Sequence, residues 1–302
     1  MTVKVEKVSY GGWDNCYKIS NEMVELIVTS DVGPRIMRYS FLDGENLMCQ
    51  VKEDMGKSGS DKWLMYGGHR LWHSPEHPIR TYNPDNFPVK VKVLENGVHL
   101  TSDVEKVSGI KKEMIIKLSD KTSQVEVDHI LTNTNLWTVQ LSVWALSVLD
   151  KGGLEVVPQE TKDTGLLPNR MISLWPYTDL SDKRVMWGKK YIFLQQDPKI
   201  SQPFKFGISN TPGWAAFFNK NDMYIKRFFP QEDKLYPDYS ASMYETYTNE
   251  FMTEMETLSP LVNLKENESI SHKEIWKLYK DVRVPKNEEE MDEIVGEYRL
   301  DG

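Results

Sequence analysis

The sequence predicts an all-β protein, a large antiparallel sandwich or barrel, and three observations carry that prediction. Apolar and polar residues alternate in period two along most of the chain, strand candidates recur roughly every ten residues, and turn-forming pairs stand between them. In 88–94, PVKVKVL, the valines Val89, Val91 and Val93 fall on one face and Lys90 and Lys92 on the other. Residues 123–131, SQVEVDHIL, repeat the pattern, and 138–149, TVQLSVWALSVL, form a longer and more apolar run. KYIFL (190–194), WAAFF (214–218), MYIKRFF (223–229) and HKEIWKLY (272–279) are aromatic-rich strand candidates. Asp43-Gly44, Asn96-Gly97 and the DKGG of 150–153 supply the turns.

Only the end departs from this pattern. In 285–300, PKNEEEMDEIVGEYRL, Pro285 comes first and Met291, Ile294, Val295 and Tyr298 follow at helical spacing, so a short amphipathic helix is expected. No linker or repeat divides the chain, and the expectation is one domain over 1–302 with 285–302 as a helical extension.

Composition bounds the function. The 302 residues are 39% hydrophobic and include nine Trp, ten Phe and fourteen Tyr, which is enough for a large core. The formal charge of -8 argues against a nucleic-acid partner, because phosphate recognition needs a basic face. The only cysteines are Cys16 and Cys49, too few for a thiolate zinc centre, and two free thiols in a reducing compartment are expected. No stretch has the length of a signal peptide's apolar region or of a membrane span, so a cytoplasmic protein without a membrane partner is expected. Asn267-Glu268-Ser269 fits a glycosylation sequon, which means little without secretion.

Three of the six histidines sit in GGHRLWHSPEH, 67–77. His69, His73 and His77 would form a row on a helix, but Pro75 breaks such a helix and Gly67-Gly68 disfavours starting one. The stretch therefore reads as a loop. It could lend imidazoles to a metal together with a carboxylate from elsewhere. It could instead provide acid–base chemistry, with His69 or His73 near neutral pKa, Arg70 holding a ligand and Trp72 offering a flat apolar face. It could also do no more than satisfy buried carbonyls.

In NEFMTEMETLSPLVNL, 249–264, Glu254 and Glu256 share a face if the segment is a strand. Shielded from water, two such carboxylates raise each other's pKa and one becomes a general base; exposed, they are merely solvated. Arg170, Trp175, Tyr177 and Asp179 occupy a proline-interrupted segment, Lys205 and Lys226 lie among aromatics, and Asp238 and Glu245 follow. Aromatic faces with such donors and acceptors suit the alternating CH and OH surfaces of a sugar. Trp137 and Trp276 read as core.

GGHRLWHSPE (67–76), LLPNRMISLWPYTDLSD (166–182), PGWAAFF (212–218) and ETLSPLVNLKENESISHKEIWKL (256–278) together resemble the galactose mutarotase-like superfamily. The likeness is to its aldose 1-epimerase-like, poorly characterised bacterial members. It spans about residues 10–280, and DVGPRIMRYSFLDGENLM (31–48) looks like the opening hairpin of these folds. The resemblance implies a large antiparallel β-supersandwich with a carbohydrate groove and no cofactor. It implies Glu256 as the base at the anomeric hydroxyl, His69 or His73 as the acid at the ring oxygen, and no metal. Arg70, Trp72, Trp144, Arg170, Trp175, Tyr177, Lys205, Lys226, Asp238, Glu245 and Glu254 would bind the sugar. Mutarotases usually carry a second histidine where this chain has Trp144, and an indole cannot donate a proton as an acid. Three expectations follow: an aldose 1-epimerase-like enzyme, a carbohydrate-binding or sensor protein without turnover, or a metal-assisted hydrolase or isomerase built on His69, His73 and His77.

Overall fold

A computed structural model describes residues 2–301. In chain order the first half holds β1 (Lys4–Tyr10), β2 (Trp13–Ser20), β3 (Val24–Thr29), β4 (Arg35–Phe41), β5 (Gly68–Ser74), β6 (Lys90–Leu94), β7 (Gly97–Thr101), β8 (Ile110–Leu118), β9 (Val125–Asn133) and β10 (Val139–Asp150). There follow β11 (Leu154–Pro158), β12 (Ile172–Leu174), β13 (Val185–Trp187), β14 (Tyr191–Gln195), β15 (Phe204–Ile208), β16 (Trp214–Asn219) and β17 (Asp222–Phe228). A single turn α1 (Pro237–Ser240), β18 (Tyr244–Thr248), β19 (Met252–Leu258), β20 (Val262–Leu264), β21 (Ser269–Tyr279) and α2 (Glu288–Tyr298) complete the order.

These strands make two antiparallel sheets. One has eleven strands in the order β1–β2–β3–β4–β5–β10–β19–β18–β15–β12, with β20 paired to the start of β10. The other has ten, in the order β13–β14–β11–β16–β17–β21–β9–β8–β7–β6. Their inner faces enclose one large apolar core in which Ile36, Leu71, Val143, Phe206 and Met255 meet Ile116, Val127, Phe217 and Trp276.

Burial along individual strands locates the unusual region. β8 and β9 alternate buried with half-buried or exposed positions, as expected where one face meets the core and the other meets water. β5 and β19 are buried at all seven positions, and β10 is buried over nine consecutive ones. An antiparallel sheet buried on both faces has its outer face covered as well. Indoles and tyrosines from the connections do the covering here, with Trp63 and Tyr82 lying over Trp72 and Trp72 edge-on to Trp144 at 5.3 Å.

The C-terminal helix is shorter than expected, 288–298 rather than 285–302. The Asn287 side chain accepts a hydrogen bond from the Glu290 N–H and caps it. Met291, Ile294 and Val295 pack on Val156, Phe193 and Trp214, on the outer face of the ten-stranded sheet. Two further expectations are corrected. Residues 68–74 are a strand, because Pro75 and Pro78 follow its end and so interrupt nothing. Trp137 is 65% exposed in the turn between β9 and β10. Val93 is 52% exposed because β6 is an edge strand. Cys16 and Cys49 are free and buried. Among the described residues no helix is long and apolar enough to cross a membrane.

Candidate functional site

Register decides which side chains meet. Across β5, β10, β19, β18 and β15, three rows of partners project from the outer face of the eleven-stranded sheet. Trp72 pairs with Trp144 and Trp144 with Leu258; Arg70 with Leu146, Leu146 with Glu256 and Glu256 with Glu245. In the third row Val148 pairs with Glu254, Glu254 with Tyr247 and Tyr247 with Lys205. The intervening rows point inward and include His69 opposite Ser147, and Ser147 opposite Met255. One strand, β5, thus sends Arg70 and Trp72 outward and His69, Leu71 and His73 inward.

On the outer face Lys205 is the hub. Its Nζ lies 2.9 Å from Glu256 Oε2 and 2.8 Å from Glu245 Oε2. It is stacked between the rings of Trp175 and Trp144, 4.7 and 4.8 Å from their centroids. Trp144 Nε1 donates to the same Glu256 Oε2 at 2.8 Å. Beside this group Arg70 pairs with Glu254 at 2.8 Å and lies over the Trp72 ring. Burial pushes the Glu256 carboxyl above its ordinary range; Lys205 opposes the shift, and Glu245 and Glu254 add to it. Burial likewise raises Glu245, against the pull of Lys205. Burial works against the charge of Lys205, yet the two carboxylates hold its pKa well above the usual lysine value, so it stays an ammonium. Several buried polar atoms here have no hydrogen-bond partner: Glu256 Oε1, Glu245 Oε1, Trp72 Nε1 and Trp63 Nε1.

The inner face holds a second polar group, in which the imidazoles of His69 and His129 and the Glu274 carboxylate are hydrogen-bonded to one another or to neighbours, while Tyr224 Oη and His73 Nε2 on that side have no partner. His129 Nδ1 donates to the His272 carbonyl at 3.0 Å, which leaves its Nε2 bare to accept from His69 Nε2–H at 2.7 Å. His69 Nδ1 in turn accepts from Ser147 Oγ at 2.9 Å. Glu274 is 3.1 Å from Lys226 Nζ, accepts from Trp276 Nε1 at 2.7 Å, and accepts from Thr257 Oγ1. Lys226 also donates to the Met255 carbonyl. Burial, followed by the Lys226 charge, pushes His69 well below its ordinary pKa, and burial pushes His272 down to about 3. His69, His129 and Glu274 bring ligand-type atoms within 4.8 Å of one another. The nitrogens that would face a cation are already hydrogen-bonded to each other, and an ammonium already neutralises the carboxylate.

Glu256, Glu254, Glu245, Lys205, Arg70, Trp72, Trp144 and Trp175 therefore gather on one face. Tyr177, 43% exposed, lies at its rim, and burial with the nearby Glu256 charge raises its pKa while Lys205 opposes. Asp238 lies beside Glu245. Lys226 is not on this face; it is fully buried between the sheets with Glu274. Arg170 belongs to the loop before β12, where Nη1 lies 3.4 Å from Gln159 Oε1. His69 and His73 stand on the far side of β5 from Glu256, with burial and then Lys112 pushing His73 down to about 3, so neither meets that carboxylate. His77 is half-buried in the following loop, where its Nδ1 accepts from the Ile79 and Arg80 N–H groups. The three histidines of the segment thus do not converge on a metal. Sequence reasoning missed Trp63, Tyr82, Tyr247 and the inner quartet His129, His272, Glu274 and Thr257. Alternation alone would have paired Arg70 with Trp72 had 68–74 been read as a strand.

No protein-family model and no curated protein matches this sequence. Solved structures do. A galactose mutarotase-like protein from Lactobacillus casei superposes with a TM-score of 0.60 at 8% identity, over 88% of this chain and 100% of that one. A TPR-domain containing protein from Parabacteroides distasonis gives 0.59 at 14% identity, over 90% of this chain and 49% of that one, so this chain spans about half its length. A galactose mutarotase-like protein from Clostridium acetobutylicum gives 0.53 at 13% identity, over 92% and 99%. At such identities the likeness establishes backbone architecture, and the chain has the galactose mutarotase-like fold.

Proposed function

We propose that the outer face of the eleven-stranded sheet binds a carbohydrate and interconverts its anomers, as an aldose 1-epimerase-like enzyme with Glu256 as the base. The observation that carries this reading is the setting of Glu256. It is buried, its pKa is raised, Oε2 is held by Lys205 and Trp144, and Oε1 is left without a partner. A base of raised pKa with an unused lone pair can take a proton from a hydroxyl. Trp63, Trp72, Trp144 and Trp175 offer flat faces for the CH side of a sugar ring, and the free indole N–H groups of Trp63 and Trp72 offer donors.

Charge narrows the ligand. Arg70 is matched by Glu254, and Lys205 by two carboxylates, so neither cation is spare for a phosphate or carboxylate. A neutral aldose fits better than an anionic one. Entry requires the Trp175–Tyr177 stretch to lift, because Glu256 is fully enclosed behind Lys205.

The test is anomer exchange, followed by two-dimensional NMR across common aldoses and their 6-phosphates, with Glu256→Gln beside the wild type. Acceleration for a neutral aldose, lost about 100- to 10,000-fold in the variant, is expected. Exchange at the wild-type rate in Glu256→Gln would remove Glu256 from that role. A second reading, a carbohydrate-binding protein without turnover, is favoured by His69 and His73 lying on the inner face. It expects sugar-dependent line broadening with no exchange, and weaker binding in Glu256→Gln.

A further inference from the structure

Glu245 is the cross-strand partner of Glu256, and both are fully buried. A single ammonium, Lys205 Nζ, touches both carboxylates. Glu245 Oε1 and Glu256 Oε1 receive no hydrogen bond. The other groups around the pair bring no relief. On the outer side Glu254 adds negative charge, Asp238 adds negative charge and meets the Glu245 carboxyl at hydrogen-bond range, Arg70 is taken up by Glu254, and Tyr177 is a neutral phenol. Behind the sheet Tyr244 and Glu155 are hydrogen-bonded to each other, and Lys226 is bound to Glu274. Two carboxylates facing one cation out of water are neutralised most cheaply by one proton held between them.

We propose that Glu245 is the proton donor of this site: it and Glu256 hold one proton between them beside Lys205, giving this face of the sheet an acid and a base without a histidine. The reaction it serves rests on the epimerase reading above. The Glu256 carboxylate takes the proton of the anomeric hydroxyl, and the freed electron pair forms the C1 carbonyl. The bond from C1 to the ring oxygen breaks, and the Glu245 carboxyl gives its proton to that oxygen. Glu256 is then protonated and Glu245 ionised. After rotation about C1–C2, Glu245 takes the proton back as the ring closes on the other face of C1. Glu256 returns its own proton to the anomeric oxygen, so no atom or charge is gained or lost. Lys205 remains an ammonium throughout and stabilises whichever carboxylate is ionised.

Two measurements on the full chain test this. Carboxyl titration by NMR on protein labelled at the glutamate δ-carbon compares wild type with E245Q, E256Q and E245D. One carboxyl of the pair is expected to stay protonated beyond about pH 6, well above the ordinary glutamate value of about 4.3. In E245Q, Glu256 has Lys205 to itself and should titrate lower. In anomer exchange, E245Q should lower kcat at least about 100-fold with KM little changed, and E245D should recover part of the rate. Two carboxyls that are both ionised throughout the neutral range would overturn the proposal, and this reading needs no variant to fold. Wild-type turnover by E245Q would overturn it as well. A shared proton with no exchange of any aldose would overturn the epimerase reading and the donor role with it, leaving the pair as a proton store.

Discussion

The two faces of β5, β10 and β19 carry similar inventories and treat them differently. The inner face holds His69, His129, His272, Glu274 and Lys226 with each charged or imidazole group bonded to a neighbour, although Tyr224 Oη and His73 Nε2 on that side are unpartnered. The outer face holds Arg70, Lys205, Glu245, Glu254 and Glu256 with carboxylate oxygens and indole N–H groups left over. Both are buried. A carboxylate whose bonds are complete, as in Glu274, stiffens a core, whereas carboxylates with oxygens to spare, as in Glu245 and Glu256, are ready for a ligand. That difference, rather than the kind of residue, separates the two regions.

The comparison is broken most directly at Lys226. Lys226→Met leaves Glu274 as a buried, unpaired charge and should lower stability by about 3–5 kcal/mol, read from urea unfolding. A loss below about 1 kcal/mol would mean that Glu274 is not paired as described.

Acid should expose the inner face next. His73 and His272 are depressed to about 3, and His69 and His129 are depressed too, mainly by burial. The unfolded chain therefore binds protons that the folded chain refuses. Stability is complete above the unfolded histidine value of about 6.5 and falls as the pH drops from there towards 3. Carboxyls raised by burial act in the opposite direction. Glu155, pushed up to about 8, adds its full contribution only below the unfolded glutamate value of about 4.3, and that contribution is lost progressively as the pH rises from there through 8. Thermal unfolding from acid to alkali should show both limbs, and a flat acid limb would contradict the neutral histidines.

The smallest effect is expected on the outer face. Glu245→Gln removes one of two carboxylates crowding a single ammonium, so stability near neutral pH should change by no more than about 1 kcal/mol in either direction. A loss as large as that of Lys226→Met would place Glu245 among the groups that hold the fold together.

Much of the architecture was legible in the sequence, and the reasons are local. The alternation in 123–131 and in 88–94 marks strands β9 and β6 because side-chain period follows directly from backbone geometry. The shared face of Glu254 and Glu256 is legible for the same reason. Residues 67–77 misled because glycines and prolines dominate them, although the strand lies between those residues. The assignment of His69, His73 and Lys226 to the site failed at register. Whether a side chain meets Glu256 or Glu274 depends on pairing between strands far apart in the chain, and no local pattern records it. Trp137 shows the limit of reading aromatics as core, since a turn can carry one into water.

The two glycines that open β5 have a consequence for how this chain tolerates change. Gly67 and Gly68 adopt φ of 90° and 70°, and a Cβ on either would collide with the carbonyl of Cys49 or of Ile36. They fix where the strand starts. Because β5 serves both faces in strict alternation, gaining one residue between Gly68 and His69 would turn Arg70 and Trp72 inward and send His69 and His73 outward. Substitutions in β5 would thus damage one face at a time, whereas a single-codon insertion directly after Gly68 would exchange the two faces and leave neither intact.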